Sequence, residues 1–371
     1  MRLGIDISAV VYGTGVSRYT SNLVRSLVPL LSNDQLILFG SSLRQKPVLE
    51  NFVNSLPPSI TPRIHAYPPS LVSVLFNTLH VDISRLTGPL DVFHAWDWYI
   101  PAIKHGALVS TVHDLALFKF PDTAHPSIKK HHQRTLELLK AHAVMIIAVS
   151  RSTKMDLVNL FHFDPQRIVV IPEALPREVA IQVSPEQIAQ VKRRYRLTKP
   201  YILMVGTREK RKNYPLQIAA WQHFKDDYQL VIVGRPGDQE IKMQAGMILT
   251  DSLDPTTLAC LYAGSALLLY ASIYEGFGLP ILEAFFHRTP VVTSNLSAMP
   301  EVAGNAAMLV DPVHVQSIII GIGKALQSRQ QLIGLGDQRV RQFSWETVAQ
   351  QTLQAYQQAL AVRPLTSQEK G

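Results

Sequence analysis

Only one cysteine, Cys260, occurs among the 371 residues. A lone thiol excludes any intrachain disulfide, and the expected compartment is the reducing cytoplasm. It sits in the helix-like run Leu258-Ala-Cys-Leu-Tyr262, where a buried, inert thiol is expected. No stretch approaches the roughly 20 apolar residues of a membrane-spanning helix. The chain opens directly on a strand pattern, so no signal peptide is expected. Charged residues are sparse at 17% against 47% hydrophobic, which excludes a disordered chain and supplies ample core. Acid is the scarcer sign, since Lys plus Arg exceed Asp plus Glu by 36 − 28 = 8. An excess of cations favours nucleotide phosphates, anionic lipid headgroups or nucleic acid, and a basic surface without a partner gives the same count. A nucleic-acid binder gathers its cations on one face with aromatics among them. Here the cations are dispersed, so no nucleic acid is expected.

Strand and helix patterns alternate along the chain, which argues parallel sheets with helices on both faces. Strands are expected at Leu3 to Ile7, Gln35 to Phe39, Asp91 to His94, Ala107 to Val112, Val144 to Val149 and Ile168 to Ile171. Between them, Ser17 to Val28, Leu71 to Leu86 and Ser127 to His142 carry helical periodicity. From Pro172 to Pro185 scattered prolines without period mark a linker. A second series follows, with strands Tyr201 to Val205, Gln229 to Val233, Ala266 to Tyr270, Val291 to Thr293 and Ala307 to Val310. A length of 371 residues exceeds one ordinary core. The expected division is 1–175, 186–343 and a terminal helix over 344–362. Ser344 is its expected N-cap, and one apolar stripe, including Val348, Ala355 and Tyr356, must be buried. The polar tail from Arg363 to Gly371 is expected to be loose.

The most informative stretch is Tyr274-Glu-Gly-Phe-Gly-Leu-Pro-Ile-Leu-Glu283. It follows an apolar strand and opens a helix, with Pro280 suited to the first helical position. Gly276, Phe277, Gly278 and Leu279 then form a loop whose backbone N–H groups face an anion at a helix N-terminus. Glu275 precedes this loop, and Glu283 is expected in the first helical turn, where a carboxylate also complements the helix dipole.

Ligands of parallel sheets bind beyond the carboxyl ends of the strands, and four more segments are expected there. Gly13-Thr-Gly15-Val-Ser-Arg-Tyr19 is a glycine loop running into a helix, which is also a common bare turn. Thr111-Val-His113-Asp114-Leu115 puts His113 at a strand end, where a satisfied structural histidine is the ordinary case. Ser150 to Lys154 opens a helix that Ser150 can cap. Gly206-Thr-Arg208-Glu-Lys210-Arg211-Lys212-Asn213 places four cations in five positions ahead of a helix. A solvated loop would read the same way. His94, with Trp96 and Asp97, is a weaker candidate for an acceptor cleft.

Taken together and in order, these motifs resemble retaining glycosyltransferases of family 4, the glycosyltransferase group 1 enzymes. The Glu275-x7-Glu283 spacing is the most specific point of resemblance, and the likeness extends over nearly the whole chain. It implies the GT-B fold: two Rossmann-like domains with parallel sheets facing across a cleft, and a last helix crossing back to the first domain. It implies transfer of a hexose, mannose-like or glucose-like, from a nucleotide diphosphate sugar to a glycan or lipid-linked acceptor in polysaccharide biosynthesis. By the same resemblance Arg211 and Lys212 grip the donor diphosphate, Gly15 belongs to a loop closing over the donor, and His113 faces the donor sugar. Glu275 then meets sugar hydroxyls and Glu283 ribose hydroxyls. Some relatives carry Arg where Thr207 stands, so whether Arg208 serves instead is open. The chain lacks the Asp-x-Asp cluster of metal-dependent glycosyltransferases, and no metal and no cofactor beyond the nucleotide sugar are expected. Peripheral contact with the inner membrane face is compatible with the basic balance. Two other readings stay open here. One is a GT-B-fold nucleotide-sugar 2-epimerase, which shares a diphosphate site but not this glutamate spacing. The other is a basic nucleic-acid- or membrane-surface-binding protein.

Overall fold

The structure, a computed structural model, describes residues 1–13, 15–31, 34–96, 98–121 and 125–362. Thr14 of the first glycine loop, Asp97 and the polar tail from Arg363 lie outside the described residues. Seven parallel strands form the first sheet: β1 (Arg2–Asp6), β2 (Gln35–Ser41), β3 (Thr61–His65), β4 (Val92–Trp96), β5 (Ala107–Val112), β6 (Met145–Ala148) and β7 (Ile168–Val170). Their order is β3-β2-β1-β4-β5-β6-β7. Six parallel strands form the second: β8 (Tyr201–Val205), β9 (Gln229–Val233), β10 (Met247–Thr250), β11 (Leu267–Tyr270), β12 (Val291–Ser294) and β13 (Met308–Val310). Their order is β10-β9-β8-β11-β12-β13. Strands such as Leu267–Tyr270 and Ala107–Val112 are buried at every position. Parallel sheets covered by helices on both faces produce such continuous apolar runs.

The chain divides into two compact units, the second of which includes Ala174–Ser344. The first ends at Glu173 and regains the final helix, Trp345–Val362, whose buried stripe of Val348, Ala349, Thr352, Ala355, Tyr356 and Ala359 lies on the first unit. That helix packs against helix Gly15–Leu27 and over β4, β5 and β6. The short helix Ala116–Lys119, which directly follows β5 and His113, groups with the second unit.

Two local expectations are corrected, and two strands are added to those expected. The single helix over Leu71 to Leu86 is instead a broken run: Pro69–Ser73, a wide turn Val74–Thr78 and Ser84–Thr87. Asn77 donates to the carbonyl of Trp98 and accepts from the N–H of Ile100, both 2.9 Å, and His80 adopts a left-handed φ of 47°. Those side-chain bonds and that φ compete with helix continuation. Edge strands Thr61–His65 and Met247–Thr250 carry no alternating signal and do not stand out in the sequence. The helix after the glutamate loop begins at Leu279, so Pro280 is second and Glu283 fifth, one turn in rather than in the first turn.

Candidate active site

In each sheet the strand order reverses beside the first strand, between β1 and β4 and between β8 and β11. Loops leaving the carboxyl ends at such a reversal diverge to opposite sides and leave a crevice for a ligand. In the second unit the two loops bordering the reversal are Gly206–Asn213, after β8, and Ala271–Gly278, after β11.

Those loops are tied together by backbone and side chain. The N–H of Ile273 donates to the Arg211 carbonyl at 2.8 Å, and Arg211 Nη1 donates to the Tyr274 carbonyl at 3.2 Å. Asn213, left-handed at φ 57°, donates from Nδ2 to the carbonyls of Ala271 and Pro312 at 3.2 and 2.7 Å. Behind them Gly234 admits the Gly206 carbonyl so closely that a Cβ would lie 1.7 Å from its oxygen. Only glycine allows that approach.

Glu275 receives both cations: Lys212 Nζ lies 2.6 Å from Oε1 and Arg211 Nη1 2.6 Å from Oε2. Arg211 also donates to Glu209 at 2.7 Å, and Lys212 to the Tyr270 hydroxyl at 3.1 Å. Burial opposes the charge on Glu275. Lys212 and Arg211 outweigh it and hold the carboxyl down to about 2. For Lys212, burial is the largest influence and Arg211 adds repulsion, so its ammonium is held below the ordinary lysine value despite Glu275. The ionised pair is the state consistent with two contacts of 2.6 Å and with a guanidinium that cannot deprotonate. Ser297 accepts from the Glu275 N–H and donates to its carbonyl, fixing the backbone before Gly276.

The rest of the loop divides by role. Gly278 takes a φ of 111° ahead of the helix, a conformation that favours glycine. Phe277 turns its ring inward against Phe343, centroids 5.9 Å apart, so only its backbone is available to a ligand. Glu283 is buried on the helix after the loop. Arg208 pairs with Asp251 just past β10, 2.9 Å away, and does not join the Glu275 cluster.

In the first unit Gly13 takes a left-handed φ of 63° and Gly15 starts a helix whose Tyr19 ring meets His113 edge-on at 4.8 Å. His113 itself is bonded through Nδ1 to Glu173 at 2.8 Å. Sequence reasoning missed Glu173, which lies in what reads as a period-free linker. One candidate is corrected, and Ser150 caps its helix as expected. His94 lies in the core, fully buried, with Nδ1 against the Tyr356 hydroxyl at 2.6 Å and Nε2 against Thr111 at 2.9 Å, so it lines no cleft. Lys154 donates to the Pro165 and Ile168 carbonyls at 2.9 and 2.7 Å, while Ser150 accepts from Thr153 N–H as a helix cap.

Two Rossmann-like units, with glycine loops and a buried cation–carboxylate cluster at a sheet reversal, define the class of GT-B glycosyltransferases. Comparison with known proteins agrees. Residues 13–178 match the Glycosyltransferase Family 4 model and residues 186–338 the Glycosyl transferases group 1 model. The O-antigen chain mannosyltransferase B of Escherichia coli is 31% identical over 92% of this chain and 96% of its own. An MMP alpha-(1->4)-mannosyltransferase of Mycolicibacterium hassiacum is 29% identical over 58% of this chain and 54% of its own. Among solved structures, sucrose-phosphate synthase of Thermosynechococcus elongatus superposes with a TM-score of 0.72 at 17% identity, over 98% of this chain and 100% of that one. Anabaena HepE, solved with UDP and glucose, superposes with a TM-score of 0.69 at 15% identity, over 96% and 100%. The chain belongs to glycosyltransferase family 4 and is a hexosyltransferase.

Proposed function

We propose that the enzyme moves a mannosyl residue from a nucleotide diphosphate sugar to a glycan or lipid-linked acceptor, with retention and without a metal ion. The observation that carries this reading is the meeting of Arg211, Lys212 and Glu275 beside Gly276 to Leu279. As the bond from sugar C1 to the phosphate oxygen breaks, negative charge grows on the departing diphosphate. Positioned cations and backbone N–H groups stabilise such charge without reorganising. Glu275, held as a carboxylate by two cations, is a weak nucleophile. Glu283, fifth in the helix that follows the loop, is assigned here to the nucleoside end, so the two acids do not form a glycosidase-like pair across one bond. A front-face route fits better: the acceptor oxygen bonds to C1 on the face the diphosphate leaves, and the acceptor proton passes to a phosphate oxygen. Relatives named as mannosyltransferases support mannose as the sugar. In this reading Glu275 orients the cations and meets sugar hydroxyls, Glu283 takes the ribose, and Gly15 and His113 take the donor roles that the family resemblance implies.

Incubation with GDP-mannose and a mannose-terminated oligosaccharide is expected to release GDP only when acceptor is present, equally with and without EDTA. Acceptor-independent change of the sugar, or complete loss of turnover in EDTA, would overturn the respective part of the proposal.

The enzyme is further proposed to meet the membrane surface peripherally, from the cytoplasmic side, and to bind no nucleic acid. No helix among the described residues is long and apolar enough to cross a membrane. Leu79, Val74 and Trp98 are exposed at 63, 46 and 43%. Trp98 packs on His132 of helix Pro126–His142, which also presents Ile128, Lys130 and Arg134. Apolar side chains beside cations suit an anionic lipid interface. Sedimentation with phosphatidylglycerol vesicles is expected, falling in about 0.5 M salt and in a Leu79→Ser/Trp98→Ser variant. Failure to sediment at low salt would remove this surface from the account.

A further inference from the structure

Glu173 lies just past β7, at the carboxyl edge of the first sheet. Its side chain is only 9% exposed. A carboxylate taken that far from water requires a compensating partner. Among the described residues no lysine or arginine pairs with it, and its bond goes to His113 Nδ1, 2.8 Å away. Among the described residues the imidazole is the hydrogen-bond partner of this carboxylate. That ring is fixed from other sides as well. Tyr19 meets it edge-on at 4.8 Å, Trp96 lies 6.2 Å away, and Thr153 donates to the His113 carbonyl at 3.4 Å.

A carboxylate only accepts hydrogen bonds, so the proton of the pair resides on Nδ1. In the neutral ring the lone pair then belongs to Nε2. We infer that Glu173 is a positioning residue: it fixes His113 as the Nδ1–H tautomer and makes Nε2 an acceptor for a hydroxyl of the bound sugar donor. This rests on the assignment of His113 to the donor sugar. Without Glu173 the ring is released to the other tautomer, with N–H at Nε2, and the donor hydroxyl loses its acceptor. Sites that bond a substrate hydroxyl discriminate strongly against donors lacking it, so Glu173 also contributes to donor selection.

The test uses the full-length enzyme, GDP-mannose and a mannose-terminated oligosaccharide. Glu173→Leu is expected to lower kcat about 10- to 100-fold, by analogy with the carboxylates that orient metal-binding histidines, with little change in acceptor KM. Glu173→Gln, which keeps an accepting oxygen and tests against simple misfolding, should recover most of the loss. His113→Ala/Glu173→Leu should be no slower than His113→Ala, because residues acting as one unit are not additive. Nitrogen-15 shifts of His113, assigned by their absence in His113→Ala, should report Nδ1–H in the parent enzyme and Nε2–H in Glu173→Leu. Normal turnover in His113→Ala would remove the assignment of His113 and the inference with it. Impaired His113→Ala beside normal Glu173→Leu, or unchanged nitrogen shifts in Glu173→Leu, would overturn the role of Glu173 alone.

Discussion

Glu275→Gln is expected to abolish most turnover and to destabilise the second unit at the same time. The carboxylate is the common anchor of Lys212 and Arg211, at 2.6 Å from each. A neutral amide keeps one accepting oxygen but leaves the buried ammonium without its counter-charge, its other bond going to the neutral Tyr270 hydroxyl. Breaking a buried pair by removing one partner costs about 3–5 kcal/mol. In a unit of this size that lowers the melting transition by roughly 6–20 °C. Loss of positioned charge at a leaving group costs about 10²–10³ in kcat. An expectation of lost activity in an otherwise undisturbed protein is therefore too simple, and a second variant is needed to part the two effects. Lys212→Met/Glu275→Gln removes the orphaned ammonium, while Arg211 keeps Glu209 and the Tyr274 carbonyl as partners. Its stability should return toward the parent value, as replacements of buried ion pairs by apolar residues often allow, and its turnover should not. Recovery of turnover in the double variant would show that Glu275 serves folding alone. The linkage has a definite sign. The folded carboxyl is held to about 2 against an ordinary 4.5, so its contribution is complete above pH 4.5 and is lost as pH falls toward 2.

The strands most legible in the sequence are those buried on both faces. Tyr201 to Val205, Gln229 to Val233 and Ala107 to Val112 are found at their expected bounds, because parallel strands under helices require unbroken apolar runs. Thr61–His65 sits at a sheet edge, with Pro62 and exposed Arg63, and has no such requirement. In the second unit the cations and acids were recognisable because charge next to glycine at a strand end is unusual in sequence. Their pairing was not, since Lys212 and Glu275 are 63 residues apart and only the adjacency of β8 and β11 brings them together. Glu173 was hidden for the same reason: a glutamate between Pro172 and Ala174 has no periodicity to betray it, and its partner lies 60 residues earlier. His94 shows the converse. Its position near a strand end reads as functional, yet the strand continues to Trp96 and the last helix covers the ring. Topology, not residue type, separates His94 from His113.

His94 carries the second large expectation, a loss of stability in mild acid. Burial, with a smaller repulsion from His113, holds its imidazole down to about 3 from an ordinary 6.5. The unfolded chain therefore takes up a proton below pH 6.5 that the folded chain refuses. Stability from the neutral ring is complete above pH 6.5 and drains away as pH falls toward 3, by roughly 2–3 kcal/mol at pH 4.5. His94→Gln cannot titrate, but it disturbs the bonds to Tyr356 and Thr111 and should cost about 1–3 kcal/mol at pH 7. The stability gap between parent and variant is thus expected to close between pH 7 and pH 4.5 in denaturant titrations, whatever other carboxylates contribute to both. Parallel curves would remove His94 as the titrating group. The consequence reaches beyond the core, because the Tyr356 hydroxyl belongs to the final helix. That helix also brings Trp345 against Tyr19, centroids 5.5 Å apart, and Tyr19 abuts His113. Opening the helix lets His94 take up the proton that the packed ring refuses, so amide protection along Trp345–Val362, corrected for intrinsic exchange, should fall in acid before that of β4 and β5. A helix whose exchange is no faster than that of those strands at pH 4.5 would mean that its apolar stripe, rather than the Tyr356–His94 bond, holds it in place.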